Sequence, residues 1–253
     1  MRTLYQFPLS HFCEKARWLL DHKELEYVAQ NLTPGVHRAF AQLKTGQNYL
    51  PILKDQHLWL ANSTQIALYL DEQYPEHPLL SHQPSLRKNI LDINEMANEL
   101  GQHVRIWGLA QVLASEHAMD ILIGEKGYLR RFAKYSKPLM KSVLFKGYQL
   151  DEHHIVQAKS SMDVLVDALN QIYIKNAGAY LVGQRFSLAD IAVCSMLAPI
   201  LEIAGTPWDK EGSEAISEAA QEYKNQLLNM PLGQYVVQMY MQERHARVDW
   251  RGV

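Results

Sequence analysis

RTLYQFPLSHFCEKARWLL, residues 2–20, carries two patterns back to back. RTLYQF reads as a strand, and Phe12, Ala16, Leu19 and Leu20 then recur at helical spacing. Between them stands Ser10, three residues before Cys13 and in position to cap the helix. With Ser10 as N-cap, Cys13 lies at the third helical position, and both face the electropositive helix end. Three roles then compete. Cys13 is itself a nucleophile, its thiol lowered from an ordinary value of about 8.5 by the helix end. Alternatively, Ser10 donates a hydrogen bond to a thiolate brought by a ligand, or both residues are structural. Cys13 falls nearly in line with Ala16 and Leu20, which favours packing over reactivity.

Reading on from this stretch, LEYVAQNL is a second strand, followed by a turn at Thr33-Pro34-Gly35 and a short helix around VHRAFAQLK. YLPILKD and HLWLA pattern as a hairpin joined at Asp55-Gln56, without the favoured turn residues. NSTQIALYLDEQYP closes the unit as a helix with Ile66, Ala67 and Leu70 inward. The order is β-α-β-α-β-β-α. PEHPLLSHQP then places Pro75, Pro78 and Pro84 in a linker. From Ser85 the periods are helical, with Ile90, Ile93, Ala97, Leu100 and Val104 on one face and Val164, Leu165, Ala168, Leu169 and Ile172 on another. Residues 1–76 are thus expected to form a small α/β domain, 77–84 a linker, and 85–253 an all-helical domain. One helix start in the second part is well specified. Ser187 is an N-cap with Asp190 three residues on, flanked by Phe186 and Ile191 in hydrophobic-staple positions.

The chain has 253 residues, 47% apolar and 21% charged, with a formal net charge of −2. That balance is the composition of a globular protein, and it supplies no global field for nucleic acid or an anionic membrane. The longest apolar run, from Ile191, stops at Glu202 and is too short to span a bilayer. The first residues lack the apolar core and cleavage site of a secretory signal. Cys13 and Cys194 are too few and too far apart for a disulfide framework. A cytoplasmic location is expected.

Further features bear on chemistry. Pro51 inside YLPIL removes a ladder donor, so either the Leu50–Pro51 bond is cis and Leu50 turns its backbone toward a ligand, or the strand is an edge with a trans proline. In ANSTQ, residues 61–65, Asn62 or Ser63 caps a helix. The free amides there, with a serine hydroxyl, suit a carboxylate. The stretch 124–150 interleaves seven Lys or Arg with five aromatics, a pattern that nucleic acid or an anionic ligand can use but that more commonly marks a solvated helical face. His153-His154 diverge on a helix without a third ligand, so no metal is expected. His103 and Trp107, four apart, either line a pocket or pack in the core, the second being the commoner fate of Trp107.

Tyr5, Pro8, Ser10, Phe12, Cys13 and Arg17, then Leu50-Pro51, then Asn62-Ser63 before IALYLDEQYP, resemble the glutathione transferases, and the Ser187–Asp190 helix start resembles that family's second-domain signature. The ordered set spans the chain, and the placing of Ser10 is most similar to the theta-type serine transferases. The resemblance implies a thioredoxin-like N-terminal domain, an all-α C-terminal domain, glutathione as co-substrate, no metal, and a homodimer acting on a small hydrophobic electrophile. It further implies that Ser10 donates to the glutathione sulfur, Leu50 before a cis Pro51 pairs with the peptide backbone, Ser63 holds the γ-glutamyl carboxylate, and Phe12 flanks the peptide. Tyr5 is then packing. Where the family has an acid or glutamine, Asn62 offers the ligand's ammonium a hydrogen bond without charge. Two alternatives accompany this reading. One is a thiol-disulfide oxidoreductase working through Cys13. The other is a non-catalytic binding module with the 124–150 stretch as its contact surface.

Overall fold

The computed structural model describes residues 1–33, 35–114, 147, 150–176, 178–209 and 217–253. The 124–150 stretch therefore lies outside the described residues, apart from Gly147 and Leu150. The N-terminal unit runs β1 (Arg2–Gln6), α1 (His11–His22), β2 (Tyr27–Asn31), α2 (Val36–Thr45), β3 (Ile52–Asp55), β4 (Leu58–Ala61) and α3 (Ser63–Gln73). Its sheet has the order β2-β1-β3-β4, with β1 parallel to β2 and antiparallel to β3, and β3 antiparallel to β4. This is a thioredoxin-like arrangement with the expected element order. The β3–β4 turn falls one residue later than the sequence pattern predicts, at Gln56-His57. Asp55 is not a turn residue but a buried hub, accepting from Arg2 Nε at 3.1 Å, Tyr74 Oη at 2.6 Å and Tyr69 Oη at 3.3 Å.

The helical part comprises, among the described residues, α4 (Pro84–Ala114), α5 (Glu152–Asn176), α6 (Leu188–Leu201), α7 (Glu218–Leu228) and α8 (Pro231–Gln242). The predicted α4 face, Ile90 to Val104, is buried as expected. On α5 the predicted face is met in part: Leu169 is buried and Leu165 and Ile172 pack half-buried against the core, but Val164 is 66% exposed, and Ala158, Met162 and Val166 complete the buried side. α6 is apolar all round and is the central helix, packed against α1, α4, α7 and α8. Its start is the predicted capping box, and Asp190 does more than cap. Its carboxylate also accepts from the Leu181 amide at 2.8 Å and Tyr235 Oη at 2.6 Å, which ties the loop before α6 and the start of α8 to one buried acid. The segment between α3 and α4 is docked, since Leu79 and Leu80 are buried and the Leu188 amide donates to Leu79 O at 2.9 Å.

One core runs through both halves. Trp18 of α1 is fully buried, with its ring 5.8 Å from Phe186 and 4.6 Å from Tyr240. α1 therefore has no polar face: between His11 and Asp21 only Phe12 is not buried. Its charged side chains must find partners inside the protein, and this fixes how the start of the helix is held.

Candidate active site

The turn into α1 is built by Arg17 reaching backward. Its guanidinium donates to Glu14 Oε2 at 2.9 Å, to the Pro8 carbonyl at 3.2 Å and to the Gln6 side-chain oxygen. Glu14 in turn accepts from Arg244 Nε at 2.8 Å. Burial alone would raise the Glu14 carboxyl, but Arg244 and Arg17 bring it down to about 2. The turn carrying Ser10 is thus held by a fully partnered ionic cluster.

Ser10 takes the N-cap, with its amide donating to Phe7 O at 3.1 Å and its Oγ accepting from the Cys13 amide at 3.4 Å. The capping contact uses Ser10 Oγ as acceptor, and the Ser10 hydroxyl also hydrogen-bonds toward the Cys13 sulfur, which draws that thiol down. Cys13 is fully buried, and the Phe7 amide donates to its Sγ at 3.4 Å. Burial pushes the Cys13 thiol up, against the downward pull of Ser10 and Arg17, so the helix end does not make it a ready thiolate. It packs with Ala41, Leu50, Ile52 and Ala61. Residues within three positions of Ser10, Pro51 and Ser63 therefore meet in one small apolar cluster. Tyr5 belongs to the same cluster as packing, its ring 4.7 Å from Phe40 and 5.6 Å from Trp59.

The Leu50–Pro51 bond is cis. At the third corner, Asn62 rather than Ser63 caps α3. Its backbone sits at φ 73°, a left-handed value that asparagine tolerates better than most residues, and its Oδ1 accepts from the Thr64 amide at 2.8 Å. Ser63 is the first helical residue and is nearly buried. The cap uses one first-turn amide and leaves those of Ser63 and Gln65 without intrahelical partners, a small anion-binding end.

The helical half meets this corner through α4. His11, next to Ser10, is buried with Nε2 2.9 Å from the Gly101 carbonyl, so that nitrogen carries the proton. Burial, then the nearby Arg105, lowers its pKa to about 3 and keeps it neutral. Phe12 is half-buried, under the Arg105 guanidinium at 5.6 Å. Trp107 is core, its ring 5.3 Å from Tyr223. His103 lies on the same helix with a buried Nδ1. His154 Nδ1 lies 2.6 Å from Asp151 at the start of α5. Among the described residues no three His, Cys, Asp or Glu side chains group as metal ligands, and no helix is long and apolar enough to cross a membrane.

Sequence reasoning missed His11, Lys15 and the Glu14–Arg17–Arg244 cluster. The signal was five ionisable residues, His11, Glu14, Lys15, Arg17 and Asp21, set among apolar ones in one short helix.

A thioredoxin-like sheet joined through α1 to a helical bundle, with a helix-capping serine at the junction, defines a class. The sequence models of the glutathione S-transferase N-terminal and C-terminal domains match residues 4–78 and 138–231. The chain belongs to the glutathione S-transferase superfamily. A curated relative, glutathione S-transferase 1 of Dianthus caryophyllus, is 28% identical over 209 residues, covering 81% of this chain and 79% of the relative. Among solved structures, a glutathione S-transferase from Methylobacillus flagellatus KT with glutathione bound superposes with a TM-score of 0.64 at 14% identity, covering 99% of this chain and 98% of that one. The β-etherase LigF of Sphingobium sp. strain SYK-6 gives a TM-score of 0.59 at 17% identity, over 94% and 98%. At these identities the structural likeness speaks to the fold.

Proposed function

We infer that this chain binds glutathione in its N-terminal half and activates the thiol through Ser10 for attack on a small hydrophobic electrophile. The observation carrying this reading is the state of the Ser10–Cys13 pair. The serine hydroxyl stands at the electropositive helix end, where a ligand thiolate would take its hydrogen bond from the Cys13 sulfur, while the cysteine is packed away. A glutathione sulfur beside Ser10 is favoured as thiolate by that hydrogen bond and by the helix dipole. Each unit of thiol pKa lowered is about 1.4 kcal/mol of differential stabilisation. The thiolate then forms a bond to an electrophilic atom of the second substrate, whose displaced electron pair leaves with a leaving group or moves into its acceptor system.

The remaining contacts follow from the family. Leu50, with Pro51 behind it, pairs with the peptide backbone. Ser63 and the first-turn amides of α3 take the γ-glutamyl carboxylate, Asn62 takes the ammonium, and Phe12 flanks the peptide. The protein is read as a cytoplasmic homodimer, which sedimentation at micromolar concentration checks.

The test is Ser10→Ala. Glutathione affinity should stay within about threefold, since the contacts to the peptide are elsewhere. The pH at which bound thiolate absorbs in the ultraviolet should rise. A titration unchanged from wild type removes Ser10 from this role.

A further inference from the structure

Lys15 is fully buried, and no carboxylate among the described residues lies within ion-pair distance of it. Its Nζ donates to Asn94 Oδ1 at 2.6 Å, Asn98 Oδ1 at 2.9 Å and, at the long limit, Thr64 Oγ1 at 3.4 Å. These neutral acceptors satisfy the ammonium hydrogens and leave the charge without a direct counter-ion. Burial accordingly brings Lys15 down to about 7, with the charge of Glu95 pulling it back. Glu95, exposed on α4, reaches the lysine only through the asparagines, accepting from Asn94 Nδ2 at 3.1 Å and Asn98 Nδ2 at 3.4 Å. From α3 the facing group is Thr64. On α1, Glu14 and Arg17 are engaged with each other and with Arg244.

The two asparagine amides converge on a single oxygen, with the lysine at the long limit behind them. Thr64 Oγ1 receives Asn98 Nδ2 at 3.0 Å, Asn94 Nδ2 at 3.2 Å and the lysine. With its two lone pairs taken by Asn94 and Asn98, the threonine hydroxyl has its own hydrogen left to give. A hydroxyl polarised by a cation behind it is a stronger donor. Thr64 is the second residue of α3, half-buried and adjacent to Ser63. The unpaired cation, the polarised hydroxyl and the free first-turn amides all lie at one helix end.

We propose that Lys15, acting through Thr64 and the Asn94–Asn98 pair, is the positioning residue that gives the start of α3 its affinity for the α-carboxylate of a γ-glutamyl group. The proposal rests on the glutathione reading above, because it requires that carboxylate at α3. The bound anion supplies the counter-charge that the protein withholds from Lys15. A lysine serving only as a peg between α1 and α4 would affect every ligand alike, whereas this role is specific to one carboxylate.

The test compares two ligands on the whole chain. One is S-methylglutathione, whose sulfur has no proton to lose. The other is S-methylated 4-aminobutyryl-cysteinyl-glycine, the same molecule without the γ-glutamyl α-carboxylate. Dissociation constants are read by ligand-observed NMR into the millimolar range. Lys15→Met should weaken S-methylglutathione about tenfold, the scale of one hydrogen bond to a charged group, and leave the shorter analogue unchanged. Thr64→Val should show the same selective loss while keeping the buried cation, and it decides the matter if Lys15→Met does not fold. Equal losses for both ligands, or no loss, overturn the proposal and leave the glutathione reading standing. A wild-type protein that does not bind S-methylglutathione overturns both.

Discussion

Arg244 donates from Nε to Glu14 Oε1 at 2.8 Å, across 230 residues of sequence. The same guanidinium reaches Asp21 Oδ2 at 2.7 Å, so the segment after α8 clamps both ends of α1. All three side chains are almost wholly buried. Arg244→Ala would leave two carboxylates inside the protein without their shared cation. Removing one partner of a buried pair costs roughly 3–5 kcal/mol. A urea melt of the variant should show a loss of that size, and a loss below about 1 kcal/mol would mean that the clamp is not holding α1.

The strap after Arg244 continues to the edge of the sheet. The Asn31 amide donates to Val253 O at 2.8 Å, the Val253 amide donates to Ala29 O at 2.9 Å, and Gln6 Nε2 donates to Trp250 O at 3.0 Å. β2 is an edge strand, and this strap gives its outer backbone groups partners. Gly252 permits the approach, at φ 61° and so close that an added Cβ would stand 2.6 Å from Ala29 O. Deleting residues 250–253 should speed hydrogen exchange at the Asn31 amide at least tenfold, as expected when one backbone hydrogen bond of about 1.4 kcal/mol is lost. The paired amides of β1 should stay protected. Unaltered exchange at Asn31 would show that the strap does not close this edge.

Gly101 tests how closely α4 must approach the turn that carries Ser10. A Cβ there would meet Phe12 Cζ at 2.9 Å and would run into Met196 Sδ. Overpacking costs about 1–3 kcal/mol, while replacing a mid-helix glycine by alanine returns roughly 1 kcal/mol. The two nearly offset, and both obstructing groups are ends of flexible or half-buried side chains. Gly101→Ala should therefore lose no more than about 2 kcal/mol of stability. Its KM for glutathione should rise severalfold, because Phe12 must give along with Met196. An unchanged KM would show that Phe12 does not border the ligand.

The element order of the N-terminal half was legible because each unit is short and its periods switch sharply, from two in RTLYQF to helical at Phe12. The Ser187–Asp190 start was legible because capping is local chemistry. α5 was read only in part for the opposite reason, with Leu169 inward as expected and Val164 exposed. Its apolar residues from Val164 to Ile172 cover a wide arc, and only the packed neighbours determine which side is buried. The charged groups of α1 were the hardest to place. Glu14, Lys15 and Arg17 belong to residue types that ordinarily face water. Their partners stand far away in sequence, at Asn94, Asn98 and Arg244. Asn62 was recognised as a possible cap, but its positive φ has no sequence signal beyond the residue type. Ser10 and Cys13 were separable in the sequence only by Cys13's alignment with Ala16 and Leu20, and the burial of Cys13 agrees with that alignment.

Two histidines, the buried His11 and the half-buried His22, weaken the fold in acid. Burial, then Arg105, brings His11 down to about 3, and burial, then His77 and Lys23, brings His22 to about 4. Both lie below the ordinary value of about 6.5 that they recover on unfolding. A neutral histidine in the native state binds fewer protons than its unfolded counterpart, so stability is complete above pH 6.5 and falls as the pH drops toward 4 and 3. The loss attributable to His11 between pH 7 and pH 4 should be a few kcal/mol. His11→Asn should flatten that slope, at the expense of stability at pH 7 from the lost bond to Gly101 O. Parallel slopes for wild type and variant would show that His11 is not neutral in the folded protein.

Cys13 decides between thiol chemistry supplied by a ligand and thiol chemistry supplied by the protein. Its Sγ accepts from the Phe7 amide, which favours a thiolate, but burial outweighs this and holds the thiol protonated. The attacking species in alkylation is the thiolate, and it must also be reachable. Both conditions fail in the native state, so iodoacetamide at pH 7.5 should modify Cys13 at least tenfold more slowly than a free thiol. Its rate should rise steeply with urea as opening supplies access. Cys194, also fully buried, with its thiol raised well above the ordinary value, should behave alike and serves as the internal comparison. Rapid modification of Cys13 alone, in native buffer, would contradict the packing described here and move the chemistry from the serine to the cysteine.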